Sequence, residues 1–122
     1  MGEPDADVLE VVVGRIDELD DPGCREFSIG DGDWPLHGFV VRQGDEVFAY
    51  QNVCMHVGNP LNWKPDSFLT KDGSQIICAS HGALYDIQNG ECVAGPCPGK
   101  LLRRVEIDIT DGLIVARGRP LR

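Results

Sequence analysis

Two short segments each bring one cysteine and one histidine together: Cys54-Met55-His56, in "NVCMHVGNP" at 52–60, and Cys78-Ala79-Ser80-His81, in "IICASHGALYD" at 76–86. Together they offer two thiolates and two imidazoles, the donors of a tetrahedral zinc or of a diiron cluster with mixed ligation. Their order separates the two. Zinc fingers usually group cysteine with cysteine and histidine with histidine. Here each segment supplies one of each and places a glycine, Gly58 or Gly82, just beyond its histidine. Paired loops that each carry a sulfur and a nitrogen suit two metal atoms better than one. The remaining histidine, His37, follows Trp34-Pro35 and reads as structural.

Elements that could position such loops are legible on both sides of them. "VLEVVVGRI" at 8–16 reads as a first strand, "DELDDPG" at 17–23 as a turn or single helical turn, and "REFSI" at 25–29 as a second strand. "GFVVRQGDEVFAYQN" at 38–52 predicts a hairpin bending at 43–45, where Gly44 can take positive φ. In "LLRRVEIDITDGLIVARG", Val105, Ile107 and Ile109 share one face, Glu106 and Asp108 the other, and Asp111-Gly112 marks a second hairpin. Between the hairpins, residues 52–99 are loop-rich and hold both Cys-His pairs. No helix of more than two turns has a convincing period.

The chain of 122 residues is expected to form one domain. It contains no apolar stretch near the roughly 18 residues of a membrane span. "MGEPDADV" lacks the basic and apolar parts of a secretory signal, so a cytoplasmic address is expected. Residues 1–33 carry the whole net charge of −9, with Arg15 and Arg25 the bases among them. Nucleic acid is therefore a poor partner, because phosphate binding needs a concentrated basic patch. The acidic third reads as a solvated face or a docking face for a basic protein. The 5 cysteines of a chain expected inside the cell read as thiols or metal ligands before disulfides. For Cys24, Cys92 and Cys97 a small buried or half-buried side chain is expected, with a Cys92–Cys97 link possible but unsupported by the sequence.

"CMH" at 54–56 and "CASHG" at 78–82, with "YDIQNGECVAGPCPGKL" at 85–101, resemble the Rieske family, over roughly residues 8–117. The resemblance implies an all-β Rieske iron-sulfur fold. An antiparallel β scaffold (8–51 and 100–117) would carry an inserted cluster-binding subdomain (52–99), after an acidic tail at 1–7. It implies one 2Fe-2S cluster per chain, with Cys54 and Cys78 on one iron and His56 and His81 on the other. The spacer 57–77 is longer than in the small soluble members, a difference that should alter the surface near the cluster and leave ligation intact. Asn59 and Ser80 stand where members from respiratory complexes have a further disulfide pair.

The resemblance also suggests what surrounds the cluster. High-potential relatives carry a serine and a tyrosine where this chain has Ala83 and Tyr85, so one hydroxyl donor is missing and one kept. The expected potential lies in the lower half of a family range of about −150 to +300 mV. Met55, Val57, Pro60, Leu61, Trp63, Pro96 and Pro98 are apolar or uncharged and are expected to form a docking patch, Trp63 being the one most apt to pack beneath the loop.

Once His56 and His81 are assigned to the cluster, His37 alone cannot build a mononuclear oxygenase iron, and no strand, G-x-G-x-x-G and helix unit for a nucleotide is present. The expected role is therefore an electron carrier without a substrate site of its own, a ferredoxin between a flavin-dependent reductase and a terminal oxygenase. The alternatives are a Rieske-like small subunit of a larger redox enzyme such as a nitrite reductase, and a zinc-binding interaction module.

Overall fold

A computed structural model describes residues 8–30, 35–53, 60–62, 66–79, 82–96 and 98–119. In order along the chain they form β1 (Leu9–Arg15), a 3-10 turn (Ile16–Glu18), β2 (Gly23–Ile29), β3 (Leu36–Gln43) and β4 (Glu46–Gln51). These are followed by β5 (Gln75–Ile77), β6 (Leu84–Asp86), β7 (Cys92–Ala94), β8 (Glu106–Thr110) and β9 (Leu113–Gly118). All pairings are antiparallel and give three sheets, ordered β1-β9-β8, β2-β3-β4 and β5-β6-β7. The all-β reading of the sequence holds, and no helix among the described residues is long and apolar enough to cross a membrane.

Both hairpins fall where their turn residues predict. Gly44 has φ +62° between β3 and β4, and Asp111 and Gly112 have φ +52° and +80° between β8 and β9. Two successive positive φ values match the twist that a two-residue hairpin loop needs. The strands run slightly beyond their sequence limits: β2 begins at Gly23, and β3 begins at Leu36, so that His37 lies within a strand. Of the face Val105, Ile107 and Ile109, Val105 is buried and Ile109 is exposed, since the hairpin tip extends past the core.

The run Phe39-Val40-Val41 explains how the sheets stack. Successive strand residues point to opposite faces, and a strand buried on both faces reads as a continuous apolar run. All three are completely buried. Phe39, Val41 and Tyr50 belong to one core, shared with Phe68, Ile76, Tyr85 and Leu102. Val40 and Ala49 belong to another, shared with Val13, Ile114 and Ala116 of the first sheet. The β2-β3-β4 sheet is thus the middle layer. Phe68, from the long spacer, stacks on Phe39 with ring centroids 4.0 Å apart and planes within 7°, a contact worth about 0.5–1.5 kcal/mol beyond its buried area.

The edges of the middle sheet are occupied. On β4, Gln51 N–H donates to the Arg103 carbonyl at 2.8 Å, and Val105 N–H donates to the Ala49 carbonyl at 3.0 Å. On β2, Glu26 N–H donates to Asp66 Oδ1 at 2.8 Å. At these positions backbone groups that could template another strand are satisfied within the chain.

Candidate metal centre

The second Cys-His segment starts where β5 ends. Cys78 is fully buried; its N–H donates to the Ala83 carbonyl at 2.9 Å and its carbonyl accepts Gly82 N–H at 2.8 Å. These bonds close a tight turn over 78–83. Gly82 takes φ +73° with nothing within 4 Å of where a Cβ would sit, so conformation and not space calls for glycine there. Cys78 is thus inside and Gly82 is exposed. Ser80 and His81 lie outside the described residues.

The first segment is described only at its flanks, since Cys54, Met55, His56, Val57, Gly58 and Asn59 lie outside the described residues. Asn52, just past β4, joins the flanks. Its Oδ1 accepts Leu61 N–H at 2.7 Å, and its Nδ2 donates to Asn62 Oδ1 at 2.8 Å. Leu61 then connects the two segments, because its carbonyl accepts Ala79 N–H at 2.8 Å. Ala79 is the neighbour of Cys78.

A third segment packs on the second. Gly95 has φ +99° and lies against Ala83. Ala83 and Tyr85 are both fully buried, and Tyr85 pairs with Ile76 on one side and Cys92 on the other. Cys92 is buried, and its Sγ lies 3.2 Å from the Ala94 carbonyl. Cys24 is half-buried beside Asp66, Ser67, Phe68 and Leu69, and burial pushes its thiol up to about 12. Cys97 lies outside the described residues.

The expected docking patch needs one correction. Pro60, Pro96 and Pro98 are exposed, but Leu61 is completely buried in the core around Phe39 and Phe68. Its side chain packs among those rings and does not reach the surface. Met55, Val57 and Trp63 lie outside the described residues. His37 is exposed on β3, with Nδ1 2.9 Å from Ser28 Oγ.

Sequence reasoning missed the polar residues behind the loops. Glu26 Oε2 accepts both Asn62 Nδ2–H at 3.0 Å and Asp66 N–H at 2.8 Å. Asn52, Asn62 and Glu26 lie in no motif and are distant in the chain, so their types carried no signal.

The donor set fits a mixed-ligand cluster. A buried cysteine in a turn whose glycine faces solvent suits a centre with sulfur ligands inside and nitrogen ligands near the surface. Among the described residues alone, no group of three or more His, Cys, Asp or Glu side chains could hold a metal ion.

Comparison with known proteins agrees. A family model, the Rieske [2Fe-2S] domain, matches residues 10–109. The menaquinol:cytochrome c reductase iron-sulfur subunit of Bacillus subtilis (strain 168) is 30% identical over 93% of this chain and 70% of its own length. The cytochrome b6-f complex iron-sulfur subunit of Chlorobaculum thiosulfatiphilum is 31% identical over 75% of this chain, which spans 44% of that relative. Among solved structures, the ferredoxin of carbazole 1,9a-dioxygenase from Nocardioides aromaticivorans IC177 superposes with a TM-score of 0.67 at 26% identity, covering 88% of this chain and 95% of that one. An iron-sulfur family across most of the chain replaces the zinc alternative. The chain belongs to the Rieske [2Fe-2S] family, binds one 2Fe-2S cluster and is an electron carrier.

Proposed function

We propose that this chain relays single electrons from a flavin-dependent reductase to a terminal oxygenase in the cytoplasm, with Cys54, His56, Cys78 and His81 holding the cluster. The observation that carries this reading is the match in extent to a ferredoxin of a dioxygenase system, of which the chain covers 95% at 26% identity. When bound, a 2Fe-2S cluster with two imidazole ligands supplies a one-electron couple. The chain's own residues do the rest. Cys78 supplies a thiolate from inside the fold, Tyr85 offers a buried hydroxyl, and the exposed Pro60, Pro96 and Pro98 line the side from which a partner approaches.

A second reading, a subunit of a larger redox complex, is favoured by the two curated relatives, which are subunits of cytochrome complexes. Asn59 and Ser80, in place of the additional cysteines, count against it. Electron transfer decides between them. Under the first reading, NADH and a flavin-dependent ferredoxin reductase reduce the purified protein, and a terminal oxygenase reoxidises it. Reduction by quinol through a cytochrome complex, with no turnover in the reductase assay, would overturn it.

A further inference from the structure

We propose that Glu26, Asn62 and Asn52 form a positioning relay that holds the two ligand segments in register from the β2 strand. The inference rests on the ligand assignment proposed above. Its geometry is a single directed chain of hydrogen bonds. Leu61 N–H donates to Asn52 Oδ1 at 2.7 Å, Asn52 Nδ2–H to Asn62 Oδ1 at 2.8 Å, and Asn62 Nδ2–H to Glu26 Oε2 at 3.0 Å.

The ends of this chain determine its middle. Glu26 Oε2 already accepts the Asp66 backbone N–H, so it faces Asn62 as an acceptor, and Asn62 must turn its amide nitrogen toward Glu26 and its oxygen toward Asn52. Asn52 must then give its nitrogen to Asn62, which leaves its oxygen for Leu61, a backbone donor. Neither amide can flip without two donors or two acceptors meeting. The order is therefore unique.

The relay reaches both ligand segments. At one end Asn52 and Leu61 bracket the residues that carry Cys54 and His56. Leu61 then passes the restraint to Ala79, beside Cys78, through its carbonyl. At the other end Glu26 is fixed by a reciprocal pair with Asp66: its carboxylate accepts Asp66 N–H at 2.8 Å, and its own N–H donates to Asp66 Oδ1 at 2.8 Å. Asn62 and Asp66 both lie in the long spacer, so the spacer's length serves to anchor the centre on the middle sheet.

Glu26→Gln separates geometry from charge. Both side-chain bonds to Glu26 land on one oxygen, which the amide oxygen of glutamine can replace, whereas Glu26→Ala removes both acceptors. The test measures amide exchange at Leu61 and Ala79 by mass spectrometry, the rate of cluster loss to an iron chelator and the EPR g-values after reduction, all on the full, cluster-loaded chain. Glu26→Ala and Asn62→Ala should speed both rates by about fivefold or more, the population change of one net hydrogen bond, and broaden the g-values. Glu26→Gln should stay within about twofold of wild type on the same scale.

Variants that lose thermal stability while keeping wild-type exchange at Leu61 and Ala79, wild-type cluster-loss rate and g-values would overturn the relay. Should Glu26→Ala not fold, Asn62→Ala makes the same test without touching β2. A failed ligand assignment is distinguishable, because Cys78→Ser would then keep the cluster while the exchange measurement still reports on the relay.

Discussion

A Cβ placed on Gly95 would lie 2.8 Å from the Ala83 Cα, closer than such atoms come in folded proteins. Residues 95 and 83 therefore share one backbone-to-backbone contact, which seats the proline-rich segment directly on the turn over 78–83.

Gly95→Ala should accordingly be among the most damaging small substitutions in the chain. It combines a clash with main-chain atoms and φ +99°, a conformation that L residues rarely adopt. Strain of about 1–3 kcal/mol is expected. Gly44→Ala is the control, because Gly44 has φ +62° but nothing within 4 Å of where its Cβ would sit. Thermal melts and iron content should show Gly95→Ala losing both stability and cluster, and Gly44→Ala losing only a little stability. Equal effects would mean that the contact with Ala83 is unimportant.

Tyr50→Phe should destabilise the fold by about 1–3 kcal/mol, the desolvation penalty of an orphaned buried polar group. The Tyr50 hydroxyl donates to the Ile87 carbonyl at 2.6 Å, in a buried bond between the middle sheet and the turn after β6. Burial also holds its phenol up to about 12. Phenylalanine keeps the ring in its core and leaves that carbonyl without its side-chain donor. Urea unfolding with an unchanged m-value and a lowered midpoint is the expected result; an unchanged midpoint would show that water takes over the bond.

The two described thiols with the clearest roles should behave oppositely. Cys78→Ser should abolish the cluster's visible absorption, as should Cys54→Ser and His81→Ala. Cys24→Ser should leave the spectrum unchanged. The Cys24 thiol is raised from 9.0 to about 12 by burial, so it stays protonated at pH 8, and iodoacetamide should spare it in the native protein. The sign for stability follows: the unfolded thiol ionises near 9 and the folded one near 12, so this group's contribution is intact below pH 9 and falls away between 9 and 12. Rapid native-state alkylation at pH 8 would contradict the burial.

How far the sequence revealed these features depends on the range over which each is encoded. The two hairpins are local objects, and Gly44 and Asp111-Gly112 announce their bends within a few residues. Phe39-Val40-Val41 reads as a strand, but that it lies between two cores depends on what covers each face. Strands β5, β6 and β7 have three residues each, too few to show a period of two, so the third sheet was invisible. Leu61 was misjudged because a lone apolar residue between Pro60 and Asn62 looks like a loop tip; its burial comes from Phe39 and Phe68, outside its own stretch of chain. The link from Glu26 to Asn62 has the same character. The Cys-His pairs proposed as ligands stand out in the sequence because ligand chemistry restricts residue type and spacing together.

The reduction potential offers the most direct check on what surrounds the cluster. Hydrogen bonds to cluster sulfurs stabilise the reduced state, and the high-potential pattern has two hydroxyls where this chain has Ala83 and Tyr85. Both positions are completely buried, next to the turn that carries Cys78, so a hydroxyl at either one acts in a site shielded from solvent. Tyr85→Phe should lower the potential and Ala83→Ser should raise it, each by about 40 mV, the one-electron equivalent of a net hydrogen bond of about 1 kcal/mol. The starting value should fall in the lower half of the range of about −150 to +300 mV. Gly95 crowds the Ala83 backbone, which limits where a new Oγ can point, so the serine's visible circular dichroism should be compared with wild type first. Protein-film voltammetry of the three proteins then decides: a wild-type value above roughly +200 mV would contradict the expected range, and a Tyr85→Phe or Ala83→Ser variant at the wild-type potential would remove that position from the control of the couple.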